Sequence, residues 1–187
     1  MRHLSRALLF AAALGLTAAS AASVAEAQSV DIRRPHTGSR PFQLDVHGGF
    51  TWWGVGAATG VRFGIPILNN GFVDSINNAV YLNFGGDFYF VRSHRGPGGD
   101  WEYGPGFGFP VTLHWEFYFN ERWSAFAEVG GQFFIHPRFV NGDRYEVYEA
   151  GYWFIWTVGG SLHLTENVLL TLRVGSPYIA FGVTFQF

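Results

Sequence analysis

Nine ionisable side chains stand in stretches that are otherwise apolar and aromatic: Asp45, His47, Arg62, Asp87, His114, Glu116, Glu128, His163 and Arg173. Each shares the parity opposite to its large apolar neighbours, so extended chain would gather all nine on one face. A charge in a narrow, low-dielectric interior must be paired or hydrated. The set therefore admits three chemistries: an ion-pair network that fixes strand register, a polar path for ions or small solutes, or a catalytic constellation. Part of the pairing is legible. Taking Phe119 opposite Trp123 across the tight turn Asn120-Glu121-Arg122 sets His114 opposite Glu128. Taking Leu164 opposite Val168 puts Arg173 level with Gly159, where it has room to extend. The ion-pair network is the reading adopted.

A second group lies in Gly- and Pro-rich connections. Ser93 and His94 open one, with Asp100 and Glu102 further along it, and His136 and Glu146 flank another. A nucleophile and its base must come within hydrogen-bond reach, and the sequence does not bring these together, so no catalytic residue is assigned. His94, His136 and Asp100 are of metal-ligating type, but their spacing matches no metal motif; no metal and no cofactor is expected. The absence of Cys excludes a disulfide scaffold, thiol catalysis and Cys-ligated metal. All 12 basic residues are Arg and the net charge is -2, so no basic face is offered to nucleic acid.

The elements that must position these residues are strands. Val80, Leu82, Phe84, Phe88 and Phe90 alternate with Tyr81, Asn83, Asp87 and Tyr89. Phe107 to Phe119 alternates in the same way. Eight such segments are expected, over roughly 41–53, 54–67, 79–92, 106–119, 123–136, 151–164, 168–175 and 178–187. No stretch after residue 28 is apolar enough for a transmembrane helix. Residues 1–27 read as a signal peptide: Arg2 and Arg6, an apolar run from Leu8 to Ala19, and Ala25-Glu26-Ala27 before the cut. Residues 28–40 form a short tail, and 41–187 one domain. The connections alternate between tight polar turns (120–122, 165–167) and longer segments (93–105, 137–150). The one from Asn69 to Asn78 is long for its place and has no assigned role.

Face chemistry separates a soluble sandwich from a membrane barrel. The apolar face is unusually large and aromatic, and 19% of the chain is Phe, Trp or Tyr. The opposite face is Gly-rich with few charges, too small for a solvated exterior. Turned inside out the pattern is consistent: apolar side chains face lipid, and Gly and charge fill a narrow lumen. Closure also removes sheet edges. The fold class expected is all-β, an eight-stranded antiparallel up-and-down transmembrane barrel. Trp52, Trp123, Tyr152 and Trp156 fall near strand ends, where aromatic girdles meet the headgroups.

The last residues, Ala180-Phe181-Gly182-Val183-Thr184-Phe185-Gln186-Phe187, resemble the C-terminal assembly signal of bacterial outer-membrane barrels, with Gly182, Phe185 and Phe187 matching and Ala180 standing where a polar residue is usual. Phe119 to Ser124 and Leu164 to Val168 are similar to the periplasmic turns of small OmpA/OmpX-type barrels. The resemblance implies an outer-membrane location after export, lipid and lipopolysaccharide around the barrel, recognition by the barrel-assembly machinery, and a monomer. It leaves three roles open. The first is a structural or surface-interaction barrel presenting the segments 93–105 and 137–150. The second is a narrow channel or small-hydrophobe conduit, made conceivable by lumenal glycines. The third is a lipid A-modifying enzyme, as some eight-stranded barrels are, although the His/Ser motif of the deacylase barrels is not found here.

Overall fold

A computed structural model of the 187-residue chain describes residues 30–52, 56–94, 101–139 and 145–187; for 92–94, 101–102, 136–139 and 145–149 it describes the backbone alone. Eight strands follow in chain order: β1 (Gln43–Thr51), β2 (Gly56–Leu68), β3 (Asn78–His94), β4 (Trp101–Tyr118), β5 (Trp123–Phe139), β6 (Tyr145–Thr165), β7 (Val168–Ser176) and β8 (Tyr178–Gln186). Each pairs antiparallel with the next, and β1 pairs with β8, closing the barrel. The period-two pattern builds these strands because it sorts side chains to two chemically different surfaces.

The register agrees with the sequence at His114 opposite Glu128 and at Gly159 opposite Arg173. It departs at one turn. An irregularity between His163 and Thr165 brings Thr165, not Leu164, opposite Val168. A second departure concerns the segments 93–105 and 137–150, expected as loops. The ladder runs through much of both: β3 reaches His94 where β4 begins at Trp101, and β5 reaches Phe139 where β6 begins at Tyr145. Gly and Pro in these stretches suggested loops, but closely facing partner strands satisfy the backbone all the same.

The barrel is therefore uneven in height. β1, β7 and β8 have 9 residues each, close to the ~9–11 that cross a bilayer. β3, β4, β5 and β6 have 17, 18, 17 and 21. The excess lies at the end away from the tight turns, so two β-ribbons, β3–β4 and β5–β6, stand above the rest. β7 and β8 meet at Ser176-Pro177, a cis peptide.

The tail docks at the opposite end. Asp31 bridges to Asn120, and the Ile32 amide donates to the Phe119 carbonyl. The long connection after β2 receives the rest. Asn77 N–H donates to the Ile32 carbonyl at 2.8 Å, His36 N–H to Asn70 Oδ1 at 3.3 Å, and Arg40 N–H to Asn69 Oδ1 at 3.0 Å. Arg40 also donates through Nε to the Asn69 carbonyl and through Nη2 to Asn77 Oδ1. The connection is itself braced: Asn78 Nδ2 donates to the carbonyls of Val73 and Ile76, and Trp115 Nε1 donates to Asn78 Oδ1. The segment 69–78, without a role in the sequence, is the seat of the tail.

The outward parity of the described strands is apolar apart from Thr59, with Val46, Phe63, Phe84, Phe109, Val129, Val158, Leu172 and Phe181 all exposed. The inward parity holds the buried polar groups. A soluble protein would reverse the two, so this surface requires hydrocarbon around it.

Candidate functional site

Eight of the nine predicted ionisable residues are buried inside the barrel. They meet in a continuous chain of contacts. Asp45 Oδ1 accepts from Arg173 Nη1 at 2.5 Å and contacts His47 Nδ1 at 2.8 Å, while its Oδ2 accepts from Thr171 and Thr184. His47 Nε2 faces Asp87 Oδ1 at 3.2 Å. Asp87 Oδ2 accepts from Arg62 Nη2 at 3.0 Å and from Tyr89 Oη at 2.9 Å. Arg62 Nη2 also donates to Tyr178 Oη at 2.5 Å.

Glu128 is the junction of the next stretch. Its Oε1 accepts from Asn83 Nδ2 at 3.0 Å and meets His114 Nδ1 at 2.8 Å; its Oε2 accepts from Thr157 Oγ1 at 2.8 Å and from Arg62 Nη1 at 3.5 Å. Arg173 Nε stands 3.8 Å away. The other imidazole nitrogen of His114 lies 3.6 Å from Glu116 Oε2. Glu116 accepts from Ser124 Oγ, Tyr118 Oη and Gln43 Nε2. Tyr118 carries the chain to the tail, where the Arg40 guanidinium lies 4.0 Å above its ring.

Four carboxylates and two guanidiniums thus share one interior, and each of two imidazoles is bracketed by two carboxylates. Space for them comes from inward glycines. A Cβ at Gly60 would lie 2.3 Å from Asp87 Oδ1, and one at Gly182 would lie 2.6 Å from Thr171 Oγ1 and 2.7 Å from Asp45 Oδ2. Gly182, picked from the C-terminal pattern, has a packing reason of its own.

The ninth residue, His163, sits at the edge of this group. It is half-buried near the turn end, with Nε2 3.4 Å from Ser124 Oγ and its ring edge-on to Tyr118. Ser124, His163 and Glu116 are the types of a nucleophile triad, but not in its order. The Ser124 hydroxyl gives its one proton to Glu116 at 2.7 Å, so the carboxylate does not orient the imidazole. The side chains of Ser93, His94, Glu102, His136 and Glu146, and Asp100 entirely, lie outside the described residues.

At the loop end the charged chain gives way to an apolar layer. Ala58, Tyr89, Tyr178 and Ala180 are buried together, with Val91 and Phe134 packed on them. Tyr89 links the two layers, through Asp87 on one side and Gln132 on the other. The sequence analysis missed the tyrosines, Gln43, Asn83, Gln132 and the threonines of this network. Their parity was the available signal, since each shares the inward face with the charges.

The predicted girdle residues all point outward. Trp52, Trp123, Tyr152 and Trp156 are exposed; Trp52 Nε1 donates to the Gly175 carbonyl at 2.7 Å and Trp123 lies at the turn end. Phe185 is exposed between Leu44 and Val168, and Phe187 follows the end of β8 at Gln186.

No model of a known protein family matches the sequence, and neither does any curated protein. Among solved structures, the N-terminal β-barrel domain of Pseudomonas aeruginosa OprF matches at a TM-score of 0.53 and 14% identity, over 81% of this chain and all of that one. With the closed ladder and the exposed apolar belt, this decides the fold. It is a closed eight-stranded antiparallel up-and-down β-barrel, the fold of that outer-membrane domain. At so low an identity the likeness carries architecture alone, and what such a barrel does must be argued from its own lumen and surface.

Proposed function

We propose that the protein is an outer-membrane barrel of structural and surface-interaction type, with a charge-plugged lumen and, among the described residues, no clear catalytic site. The observation that carries this reading is the unbroken network from Gln132 through Asp87, Glu128 and Glu116 to Tyr118 and Arg40. It occupies the interior of a barrel whose eight strands leave room for little beyond side chains. Every carboxylate in it has a cationic or imidazole partner, which is the arrangement of a structural plug rather than of a path or a poised acid–base pair.

The uneven height supports the surface role. Two β-ribbons project past the bilayer on the side away from the tail, which is the cell exterior if the turn end is periplasmic. On this reading residues 1–27 direct export, the C-terminal strand is read by the barrel-assembly machinery, and lipid and lipopolysaccharide surround a monomer.

Trypsin treatment of intact cells tests the topology. Arg92 and Arg138 lie in the ribbons and Arg95 and Arg144 fall in the sequence between their strands, whereas Arg33 and Arg122 belong to the turn end. The expected result is cleavage at the first group alone, with the second cut only after the envelope is permeabilised. Cleavage of Arg122 in intact cells would reverse the orientation. A soluble, fully digestible protein in the periplasmic fraction would overturn the membrane assignment.

A further inference from the structure

One position in the lipid-facing belt carries no side chain although there is room for one. Gly86 lies on the outward parity of β3, in register with Val61 of β2, and a Cβ added to it would meet no atom within 4 Å. The result is a notch of about 340 Å³ in the barrel wall, at the lower end of the ~300–1,000 Å³ typical of ligand pockets. Its floor is backbone around Gly86, and its walls include Val46, Val61, Phe88, Phe107 and Phe109. Phe88 and Phe107 stand edge to face along one side, with ring centroids 5.4 Å apart.

The ladder is interrupted at the same place. The β3–β4 pairing runs to Phe84 opposite Val111 and resumes at Asp87 opposite Gly108. Between these pairs, Gly85 and Gly86 face Pro110 and Phe109, and proline has no N–H to donate.

We propose that the notch is a binding site for a single acyl chain of a membrane lipid. The chemistry of the lining favours an alkyl group. Of the two polar side chains on the lining, Thr59 donates to the His47 carbonyl at 2.9 Å and Asp87 turns its carboxylate into the lumen, to Arg62 and Tyr89, so neither asks anything of an occupant. The setting supplies such a group, because the notch opens into an apolar belt that requires hydrocarbon. A second copy of the chain fits less well. The protruding Tyr152 and Phe154 lie on β6, away from the strands that line the notch, and a contact between different faces does not close a dimer.

The site presupposes the membrane barrel, and the test separates the two. Full-length protein extracted from membranes in mild detergent is examined by native mass spectrometry, as wild type, Gly86→Leu and Gly160→Leu. Gly160 is an outward glycine on β6, away from the strands that line the notch, and an added Cβ there would meet its nearest neighbour, the Ser124 carbonyl oxygen, at 3.5 Å. All three should keep the gel-mobility shift on heating that marks a folded barrel. Wild type and Gly160→Leu should retain one phospholipid, and Gly86→Leu should lose it. Equal retention by Gly86→Leu, no retention by wild type, or a dimer in place of the adduct would overturn the proposal. Loss of the heating shift in wild type would instead overturn the membrane barrel. A measurement on wild type alone covers a variant that fails to fold. Phospholipid with a mid-chain nitroxide should broaden the Gly86 amide resonance more than that of Gly160; equal broadening would overturn the site.

Discussion

Glu128 binds the halves of the lumenal network to each other, because Arg62 comes to it from β2, His114 from β4 and Thr157 from β6. Removing one member of a buried ion-pair cluster leaves its partners desolvated and uncompensated, which costs about 3–5 kcal/mol. Glu128→Ala is expected to lower barrel stability by that amount in urea titrations of vesicle-inserted protein, followed by tryptophan fluorescence. Glu128→Gln, which keeps one acceptor, should lose less. A change below about 1 kcal/mol for the alanine variant would show that the network contributes little. The charged members were legible in the sequence from parity alone, and the His114–Glu128 pair from one turn. The rest was not legible for a geometric reason. Arg62 reaches Glu128 and Arg173 reaches Asp45 across the lumen, between strands that are not neighbours, and neighbouring-strand register says nothing of such distances. Tyr89 and Tyr178 stayed hidden because an aromatic with a hydroxyl suits both lumen and interface.

At the scale of elements, the outward face of β7 tests the inside-out assignment. Leu172 is at the middle of that strand and exposed, while Leu164 is exposed near a turn. Leu172→Arg should destabilise the inserted barrel by about 2–4 kcal/mol, and Leu164→Arg by no more than about 1, as a charge costs more toward the bilayer midplane. Equal effects would mean that water, not lipid, faces β7. The tail is an element that composition did not predict to be ordered, since its partners are backbone groups and asparagines in a distant connection. It carries its own pH dependence. Burial first, and then the Arg40 cation, hold His36 below its ordinary value near 6.5, against a smaller opposing hydrogen bond with the Ser39 backbone. The docked tail thus binds protons less readily than the free one, and docking weakens as pH falls below that value. Hydrogen exchange at the Asn77 amide, which donates to the Ile32 carbonyl, should show less protection at pH 5.5 than at pH 7.5 after correction for intrinsic rates. His36→Gln should remove the difference, and a wild-type protection independent of pH would contradict the account. The connection at 69–78 shows why element existence was easier to read than role: its Asn-Gly composition marks a turn, but only the folded tail shows what the turn holds.

At the largest scale, the eight strands form a closed wall whose interior is filled with side chains. Eight alternating segments, an aromatic exterior and a Gly-rich opposite face were enough to read the barrel, because closure and inversion are the solution that leaves neither an apolar edge nor an apolar face in water. The height of the wall was misread, as strand and loop compositions overlap in the Gly-, Pro- and Arg-containing ribbons above the bilayer. Function follows from what the closed wall encloses. On the proposed reading, a lumen filled by paired charge, by the apolar layer of Tyr89 and Tyr178, and by Arg40 over Tyr118 offers no route for ions. The direct measurement is planar-bilayer recording of purified, heat-modifiable protein in salt solution on both sides. The account predicts a flat trace for wild type at all holding potentials, with reproducible openings only when the plug is dismantled by Arg62→Ala together with Arg173→Ala. Reproducible single-channel steps from wild type would contradict it and make the lumen a conduit.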